Sequence, residues 1–358
     1  MQRSVRLSEA DLALVEALQI CPRATWSAVA KATDSSPVTV SRRWSRLVDS
    51  GAAWVTGTPG LSVWNEQCVA YVAIRCSPGH KLSVADTLAG DPHALSVELT
   101  AGDFDLFVTV AAADLRALSR YLLERVDLIA GVTDTRTRIC THLYRDGSRW
   151  RLGSLPQQAV DRLVSAPAGT SPHSQAARSA TSRPEDHRIL VQLGLDGRAS
   201  FAALAAGAGV SEGTVRRRLR SLLAAGTVVL RAEVAAHLTD WQVAVILSID
   251  VPSDRLAQAA LAMSRLRHVR LCATLAGSPA IVVSVWLRDV ESVHDFETTL
   301  AKAIPGVTVS GRLVTLHTVK RMGRLLDEDG RAIGAVPMDV WADPGAAPRR
   351  RVDGPVHP

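Results

Sequence analysis

The chain contains an internal repeat, and this feature constrains its fold more than any other. A shift of 175 residues (211 − 36) aligns SPVTVSRRWSRLVDSG at residues 36–51 with SEGTVRRRLRSLLAAG at residues 211–226. The same shift matches residues spread over most of both halves, among them Asp11 with Asp186, Arg23 with Arg198, Gly102 with Gly277 and Gly131 with Gly306. Because a repeat at a fixed period marks a reused structural unit, we expect two copies of one composite unit in the 358 residues.

Each copy begins with a helical pattern and continues with strand-like segments. Between the copies, Ala166–Arg183 is rich in Ala, Ser, Pro and Gly and is typical of a flexible linker, and Leu155–Val164 before it is expected to form a short docking helix. The tail with its Arg349–Arg351 run is expected to be disordered and solvated. The predicted domains are helix-turn-helix 1–60, sensor 61–152, linker 153–183, helix-turn-helix 184–235, sensor 236–336 and tail 337–358.

The first 50 residues of each copy are expected to form three helices. In the third helix of the first copy, Ser36 is placed to cap the amino end, and Pro37 occupies the first helical position, where no N–H is needed. Val40, Trp44 and Leu47 fall on one side of this helix and are expected to face the core. Gly51 and its counterpart Gly226 have the position of a carboxyl-terminal helix cap.

Arginines dominate the opposite side of the third helix in both copies. Residues 211–225 carry four arginines and one acid, a local charge of 4 − 1 = +3. Guanidinium groups bind phosphates and pair bidentately with guanine in the major groove. A solvated basic face is the alternative interpretation. The predicted DNA-contacting residues are Ser36, Thr39, Arg42, Arg43, Arg46, Ser211, Thr214, Arg216, Arg217, Arg218, Arg220 and Ser221.

The remainder of each copy has the order βαββαβ, which is that of a ferredoxin-like domain. In the first copy the predicted elements are Val69–Arg75, Leu82–Ala89, Leu95–Thr100, Leu106–Ala111, Leu115–Val126 and Thr133–Leu143. In the second copy they are Gln242–Val251, Arg255–Leu266, Val269–Leu275, Ala280–Leu287, Val290–Ala303 and Thr308–His317. Such small sheets leave one face to cover, so two copies in one chain are expected to pair as a pseudo-dimer.

Residues 7–145 and 184–322 resemble the leucine-responsive/asparagine-synthesis (Lrp/AsnC) regulator family. The resemblance rests on LSEADLALVEALQ, on SPVTVSRRWSRLVDSG, and on TAGDFDLFVTV followed by GVTDTRTRI. It implies an α+β fold in which two winged-helix-like helix-turn-helix domains alternate with two ferredoxin-like (RAM-type) sensor domains. It also implies binding of double-stranded DNA, a response to an amino acid or related small molecule, and assembly into homo-oligomers, here of pseudo-dimeric chains.

The resemblance places the effector pocket between sensor domains, near the hairpin that contains Thr100, Gly102, Asp103 and Asp105. Gly102 would let the backbone approach a ligand, and either acid would accept an α-ammonium group. An ordinary tight turn is the alternative, since Gly-Asp is common turn chemistry. The corresponding loop at 276–280 has neither acid. A pocket there is therefore expected to have diverged, so the two copies are not equivalent.

An enzyme is the main competing interpretation, because some siroheme decarboxylases resemble the same duplicated fold. Such enzymes usually carry a phenylalanine- and proline-rich segment between the first two helices, and residues 21–26 and 196–201 match it poorly. Clustered basic residues, together with His142 or His317 on the last sensor strands, are the groups that would serve a tetrapyrrole's carboxylates. A third interpretation is a small-molecule binding or assembly protein with vestigial helix-turn-helix units, against which the arginines of the second copy argue.

The composition excludes several other classes of protein. The five cysteines form an odd, scattered set without a CxxC pair, which favours reduced thiols in the cytoplasm over a disulfide frame or zinc cluster. No catalytic triad, P-loop or GxGxxG is present, so no catalytic residue, metal or cofactor is expected. No apolar run has the length of a membrane helix, and the amino terminus has no export signal.

Overall fold

The computed structural model describes residues 6–165, 183–345 and 352–353, with two helical modules that alternate with two α+β modules. The first half contains α1 (Glu9–Ile20), α2 (Trp26–Ala32), α3 (Pro37–Asp49), β1 (Ala53–Pro59), α4 (Leu61–Trp64), β2 (Cys68–Cys76), α5 (Lys81–Ala89), β3 (Ala94–Ala101), β4 (Leu106–Ala112), α6 (Leu115–Tyr121), β5 (Val132–Arg145) and α7 (Gln157–Val164). A π-helical turn, Leu122–Val126, extends α6.

The second half repeats this order, with a 3-10 turn (Ala236–Leu238) in the place of α4 and three short strands at its end. It contains α8 (Pro184–Leu195), α9 (Phe201–Ala208), α10 (Glu212–Ala224), β6 (Val228–Val234), β7 (Val243–Asp250), α11 (Leu256–Ser264), β8 (Val269–Leu275), β9 (Ile281–Leu287), α12 (Ser292–Ala303), β10 (Thr308–Arg321), β11 (Arg324–Leu326), β12 (Ala332–Ala335) and β13 (Val352–Asp353). The predicted linker segment 166–182 lies outside the described residues, whereas the predicted docking helix is α7, which buries Ala159 and Leu163.

Side-chain caps fix the start of the third helix in both modules. The Ser36 hydroxyl accepts a hydrogen bond from the Thr39 N–H at 3.0 Å, and the Ser211 hydroxyl accepts one from the Thr214 N–H at 3.2 Å. Each bond satisfies an N–H that has no partner within the helix. Ser36 and Ser211, which were predicted to contact DNA, therefore also set where α3 and α10 begin.

The two helical modules pack on each other and share one apolar core. The strand that follows each third helix pairs with its counterpart, because β1 and β6 run antiparallel with Ala53 opposite Val234 and Pro59 opposite Val228. The winged-helix-like domains expected from the resemblance left the partner of each strand unspecified. In the described chain β1 and β6 form a two-stranded sheet that joins the two modules.

The strands of both α+β modules form one closed ring of eight. Its order is β10-β3-β4-β2-β5-β8-β9-β7, and β7 pairs back with β10. The β3–β10 and β5–β8 pairings are the two seams at which the halves of the chain meet. Closure removes the unpaired strand edges that an isolated four-stranded sheet would expose. The sequence-based expectation of a pseudo-dimer agrees with this arrangement.

Side chains alternate across the ring because successive residues of a strand point to opposite faces. On the outer face, Val72 and Ile74 of β2 pack with α5 and α6, and Val245 and Leu247 of β7 pack with α11 and α12. The inner face holds a separate apolar cluster that includes Tyr71, Phe107, Ile246 and Val282. The core of each α+β module therefore lies outside the ring, while the ring interior belongs to both halves.

The prediction of a disordered tail from residue 337 is wrong for residues 338–341. Met338 and Val340 are buried in the inner cluster, and the Asp339 carboxylate lies 2.9 Å from Nε2 of His187 on α8. These residues are ordered because Met338 and Val340 pack their apolar side chains against the other residues of the inner cluster. The Arg349–Arg351 run falls outside the described residues.

Candidate nucleic-acid interface and effector sites

The third helices α3 and α10 bury one face and expose the other, as their sequence pattern predicts. Val40, Trp44 and Leu47 of α3 are buried, and Val215, Leu219 and Leu222 occupy the same positions in α10. The predicted DNA-contacting residues that are exposed are Ser36, Thr39, Arg42, Arg46, Ser211, Arg216, Arg217, Arg220 and Ser221. Arg43, Thr214 and Arg218 are half-buried.

Three of the predicted DNA-contacting arginines contact carboxylates of the first helix of their own module. Nη1 of Arg43 lies 3.2 Å and Nη2 of Arg46 lies 3.4 Å from Oδ1 of Asp11. Nε of Arg218 lies 2.8 Å from Oδ1 of Asp186, and Nη2 of Arg218 contacts the other oxygen. The Asp186 side chain is fully buried, and its hydrogen bonds raise the pKa of Arg218. Arg218 therefore braces α10 against α8. The match of Asp11 with Asp186 was the sequence signal for this pair.

The remaining arginines form the solvent-facing part of the surface. Arg216 makes an ion pair of 3.3 Å with Glu212 and stacks over the Phe201 ring at 4.1 Å. Arg42, Arg217 and Arg220 are exposed and make no hydrogen bond or ion pair with another described residue. These three guanidinium groups are thus the ones with donors available to a phosphate or a base edge.

A reciprocal contact between Arg23 and Arg198 joins the two helical modules. Arg23 donates hydrogen bonds of 2.9 Å to two carbonyl oxygens in the loop around Arg198. Arg198 donates bonds of 2.5 and 3.1 Å to two carbonyl oxygens in the loop around Arg23. Arg23 also lies over Phe201, and Arg198 over Trp26. Burial lowers the pKa of Arg198 to about 10. Sequence reasoning missed this contact, although the repeat aligns both arginines.

The predicted effector hairpin lies at a seam of the ring, where Thr100 and Ala101 pair with β10. Thr100 is buried, and its hydroxyl donates to the Phe104 carbonyl at 2.8 Å. Gly102 has a φ of +136°, and a Cβ there would lie 2.7 Å from the Arg312 carbonyl oxygen. The second copy has Gly277 at this position, with open space around it.

The two acids of the hairpin differ in their surroundings. Asp105 accepts a hydrogen bond of 2.8 Å from the Cys76 N–H and pairs with Nζ of Lys81 at 2.5 Å. Partial burial acts to raise the pKa of Asp105, but these two donors lower it overall. Asp103 is exposed. The structure therefore brings Thr100, Gly102 and Asp105 into a closed turn and leaves Asp103 as the acid open to solvent.

The two histidines considered for tetrapyrrole chemistry do not face the ring interior. His142 is exposed and packs edge-on against Tyr144 at 4.6 Å between ring centroids. His317 is half-buried, and burial lowers its pKa. Among the described residues, no group of three or more His, Cys, Asp or Glu side chains is placed to hold a metal ion. No helix in the described ranges is long and apolar enough to cross a membrane.

Two family models match the chain, one in each half. The Lrp/AsnC ligand binding domain matches residues 69–150, and the AsnC-type helix-turn-helix domain matches residues 186–223. An uncharacterized HTH-type transcriptional regulator of Pyrococcus horikoshii is 29% identical over 150 residues, which are 40% of this chain and 92% of that protein. The HTH-type transcriptional regulator LrpA1 of Halobacterium salinarum is 30% identical over 126 residues, 35% of this chain and 89% of that protein.

A solved structure matches nearly the whole chain. The siroheme decarboxylase NirDL, in co-complex with an iron-uroporphyrin III analogue, superimposes with a TM-score of 0.53 over 88% of this chain and 93% of that chain. The sequence identity is 15%, so this likeness concerns the fold alone. The two HTH-type regulators therefore match 40% and 35% of the chain, whereas the NirDL fold matches 88% of it.

Proposed function

Because the chain belongs to the Lrp/AsnC family of transcriptional regulators, we propose that it is a sequence-specific DNA-binding regulator that arose by internal duplication. One chain presents two recognition helices, α3 and α10, to double-stranded DNA. A small molecule bound between the sensor modules modulates the binding. The regulator acts in the cytoplasm, and its pseudo-dimeric chains associate further into homo-oligomers.

One observation supports this proposal above the others. Each of the two helical modules exposes arginines on its third helix, α3 or α10, and the two modules are joined to each other. The β1–β6 sheet and the reciprocal Arg23–Arg198 contact connect the modules, so α3 and α10 are presented as a unit. A paired helix-turn-helix reads two half-sites whose separation reflects the distance between its recognition helices. One chain of this protein therefore takes the place of a conventional dimer.

The two recognition helices are proposed to read unequal half-sites. The exposed arginines of α3 are Arg42 and Arg46, whereas α10 exposes Arg216, Arg217 and Arg220. Thr39 in the first copy is exposed, while Thr214 in the second is half-buried. Because base contacts come from such side chains, the preferred operator is an imperfect palindrome. A footprint in which a single chain covers a perfect palindrome with equal affinity for both halves contradicts this proposal.

An amino-acid-like effector is proposed to bind at the first sensor hairpin. Asp103 is exposed there, and Gly102 allows close approach of the backbone. The second copy has Ser278 and Pro279 in the corresponding loop and lacks both acids. The match of the ligand-binding family model to the first half supports this asymmetry. The test is a genome-wide pull-down of bound DNA with and without pooled amino acids, in which an effector changes the recovered sites.

DNA contact is tested by replacing two neighbouring arginines of α10. Arg217→Ala should weaken binding to a recovered operator by about 1–3 kcal/mol if the residue reads a base. A phosphate contact should instead weaken all sequences alike and lower the salt slope by about one. Fluorescence anisotropy at several salt concentrations separates the two cases. Arg116→Ala, which removes an exposed arginine of α6, is the control and should bind DNA as the wild type does.

Arg218→Ala should act on stability, because it leaves the buried Asp186 carboxylate without its partner. The expected loss is about 2–4 kcal/mol in the free energy of unfolding, measured by urea denaturation. Arg217→Ala should unfold at the wild-type urea concentration. Unchanged DNA affinity in both variants, with both proteins folded, would remove α10 from the interface and argue against the proposed function.

A siroheme decarboxylase-like enzyme is the second candidate, and the NirDL fold match is the observation that favours it. A tetrapyrrole needs several hundred Å³ of space, whereas the cavity inside the ring measures about 100 Å³. The ring interior as it stands is therefore too small for a tetrapyrrole. Purified chain that shifts no DNA but releases carbon dioxide from siroheme would establish the enzyme instead.

A further inference from the structure

Charged and polar side chains face a cavity of about 100 Å³ inside the eight-stranded ring. We propose that this cavity binds a small carboxylate anion of about four to six non-hydrogen atoms, such as acetate, glycolate or lactate. The site is separate from the Thr100–Asp105 hairpin. Only its effect on DNA binding rests on the proposed regulatory function; the binding itself does not.

All eight strands of the ring contribute to the cavity wall, so the site exists only when both halves are in place. Tyr71 of β2 and Ile246 of β7 illustrate the apolar part of the wall. Ser96 and Glu98 of β3 and Ser284 of β9 add polar groups. An eight-stranded ring has an interior that is either filled by side chains or holds one small ligand. Here, apolar walls with a few convergent polar groups are typical of a binding site.

Three arginines and one glutamate form a cluster beside the cavity, in which Arg231, Arg270 and Glu233 are buried and Arg321 is half-buried. Nε of Arg231 lies 2.7 Å from Oε1 of Glu233, and Nη2 of Arg270 lies 2.9 and 3.0 Å from the two Glu233 oxygens. Burial alone would raise the pKa of Glu233, but Arg231 and Arg270 lower it to about 2. Arg270 also lies over the Trp286 ring at 3.8 Å. Glu233 is thus committed to two guanidinium groups, and the third arginine must find another partner.

That third arginine, Arg321, faces the cavity with an unused donor. Its Nη2 donates to the Thr318 hydroxyl at 3.3 Å, but its buried Nη1 has no hydrogen-bond partner among the described residues. The buried Tyr71 hydroxyl, also on the cavity wall, has none either. A buried donor without a partner costs about 1–3 kcal/mol. A carboxylate is the ligand that a guanidinium group binds through two parallel hydrogen bonds, so it would satisfy Arg321.

Two acids on the wall restrict where an anion can lie. Oδ1 of Asp146 accepts hydrogen bonds from the backbone N–H and the hydroxyl of Ser148, whereas its buried Oδ2 has no hydrogen-bond partner among the described residues. The anion must therefore bind at Arg321 and away from this oxygen. Glu98 also lines the cavity, and burial raises its pKa. The three arginines face the carboxylates of Glu98, Glu233 and Asp146, so the local charge is 3 − 3 = 0 before binding. Proton uptake by Glu98 together with the anion would give the anion a further donor and keep the site neutral.

The volume sets the size of the ligand. An apolar cavity of about 150 Å³ holds benzene, which has six heavy atoms. A site of about 100 Å³ therefore fits acetate or glycolate comfortably and lactate closely. Benzoate, with nine heavy atoms, is too large. Acetate, glycolate and lactate are therefore expected to bind more tightly than benzoate. The reason is their size, because all four anions carry the same charge.

The cavity also touches the strand that joins the helical modules. Arg231 lies on β6, the partner of β1, and opposite Thr56 in that sheet. Arg321 interacts electrostatically with Glu233 and Arg231, so a carboxylate bound to Arg321 would act on the Glu233–Arg231 pair, on this sheet, and through it on the relative position of α3 and α10. Occupancy is therefore expected to change DNA affinity.

The test is isothermal titration of the full chain with sodium acetate, glycolate, lactate and benzoate, at an ionic strength fixed with sodium chloride. Saturable binding of the small anions at one site per chain, and none of benzoate, is expected. Arg321→Gln should weaken acetate binding at least tenfold, while Arg116→Gln should leave it unchanged. Ser284→Leu places a larger apolar side chain on the cavity wall and should abolish binding even if Arg321→Gln fails to fold.

Several results would overturn the cavity site. These are benzoate binding as tightly as acetate, acetate binding unchanged in Ser284→Leu, and no heat of binding from any of the anions. The last result would leave a cavity filled by water. DNA binding is measured on the same preparations without carboxylate. A chain that binds operator DNA but no anion would refute the cavity alone, and one that binds acetate but no DNA would refute the proposed function alone.

Discussion

Arginines serve three different purposes in this protein, and their surroundings separate them. Arg42 and Arg217 are exposed on α3 and α10, Arg23 and Arg198 donate to carbonyl oxygens between the helical modules, and Arg270 is buried against Glu233. A guanidinium group has five donors in a rigid plane and keeps its charge when buried. The same residue type can therefore bind an external anion, join two loops, or hold a buried carboxylate.

Lys320 provides a pH-dependent test at the residue scale. Its side chain is fully buried, and Nζ donates to the Asp91 carbonyl at 2.7 Å, while the Asp91 carboxylate binds Arg125 and the Tyr121 hydroxyl. Burial lowers the pKa of Lys320 from 10.5 to about 7, and Asp91 only partly opposes this. Between these two pH values the unfolded chain binds more protons than the folded one, so stability rises with pH across that window.

The free energy of unfolding should therefore increase by about 1–2 kcal/mol between pH 7 and pH 9. Urea denaturation at half-unit pH steps measures this change. Lys320→Met should remove the increase, because the side chain no longer titrates. Lys302→Met, which changes an exposed lysine of α12, should retain it. An increase of the same size in the Lys320→Met protein would assign the pH dependence to other groups.

At the scale of elements, the β3–β4 hairpin and the β8–β9 hairpin show how one sequence motif can lie in two environments. Gly102 and Gly277 occupy the same repeat position, and both have positive φ angles, +136° and +112°. Only Gly102 is packed against β10, whereas Gly277 has nothing within 4 Å of a Cβ position. Gly102→Ala and Gly277→Ala both place a Cβ atom on a residue with positive φ, which is strained. The difference between their losses of unfolding free energy therefore measures the packing at the β3–β10 seam.

Gly102→Ala should lower the free energy of unfolding by about 1–3 kcal/mol more than Gly277→Ala does. The physical reason is the 2.7 Å approach of the new Cβ to the Arg312 carbonyl oxygen. Thermal and urea denaturation of both variants measure the difference. Equal losses of unfolding free energy in the two proteins would mean that the strands at the β3–β10 seam can move to make room for a Cβ atom. The β3–β10 pairing would then not hold the hairpin tightly.

Most helices and strands were predictable because their periodicity is strong. Val269–Leu275 has the predicted bounds, and the predicted strands Val69–Arg75 and Leu106–Ala111 differ from β2 and β4 by one residue at one or both ends. The sequence did not indicate α4, β11 or β12. Each of these is four residues or fewer, too short for a period to be recognised. They form because longer neighbours offer them hydrogen bonds and apolar surface.

At the scale of the whole molecule, the joined helical modules predict a strict requirement for half-site spacing. Arg23, Arg198 and the β1–β6 sheet hold α3 and α10 together. Insertion of about five base pairs between half-sites turns one of them to the opposite side of the duplex. Affinity should fall at least tenfold, to that of a single half-site, as measured by anisotropy.

The double variant Arg23→Ala/Arg198→Ala should bind the original operator more weakly and should discriminate less between the two spacings. The reason is that the loops then lose four hydrogen bonds and two ring contacts. A wild-type chain that tolerates the insertion would show that the modules move independently on DNA.

The sequence by itself determined the repeat, the order of most elements in each copy and the buried faces of α3 and α10. These properties depend on local periodicity and on matches such as Ser36 with Ser211. Only the tertiary structure decided that Arg218 belongs to Asp186 and that the Gly102 hairpin is closed by β10. It also decided that residues 338–341 fill the inner cluster. The physical reason is that these partners lie between 32 and more than 200 positions apart along the chain, a separation at which periodicity carries no information.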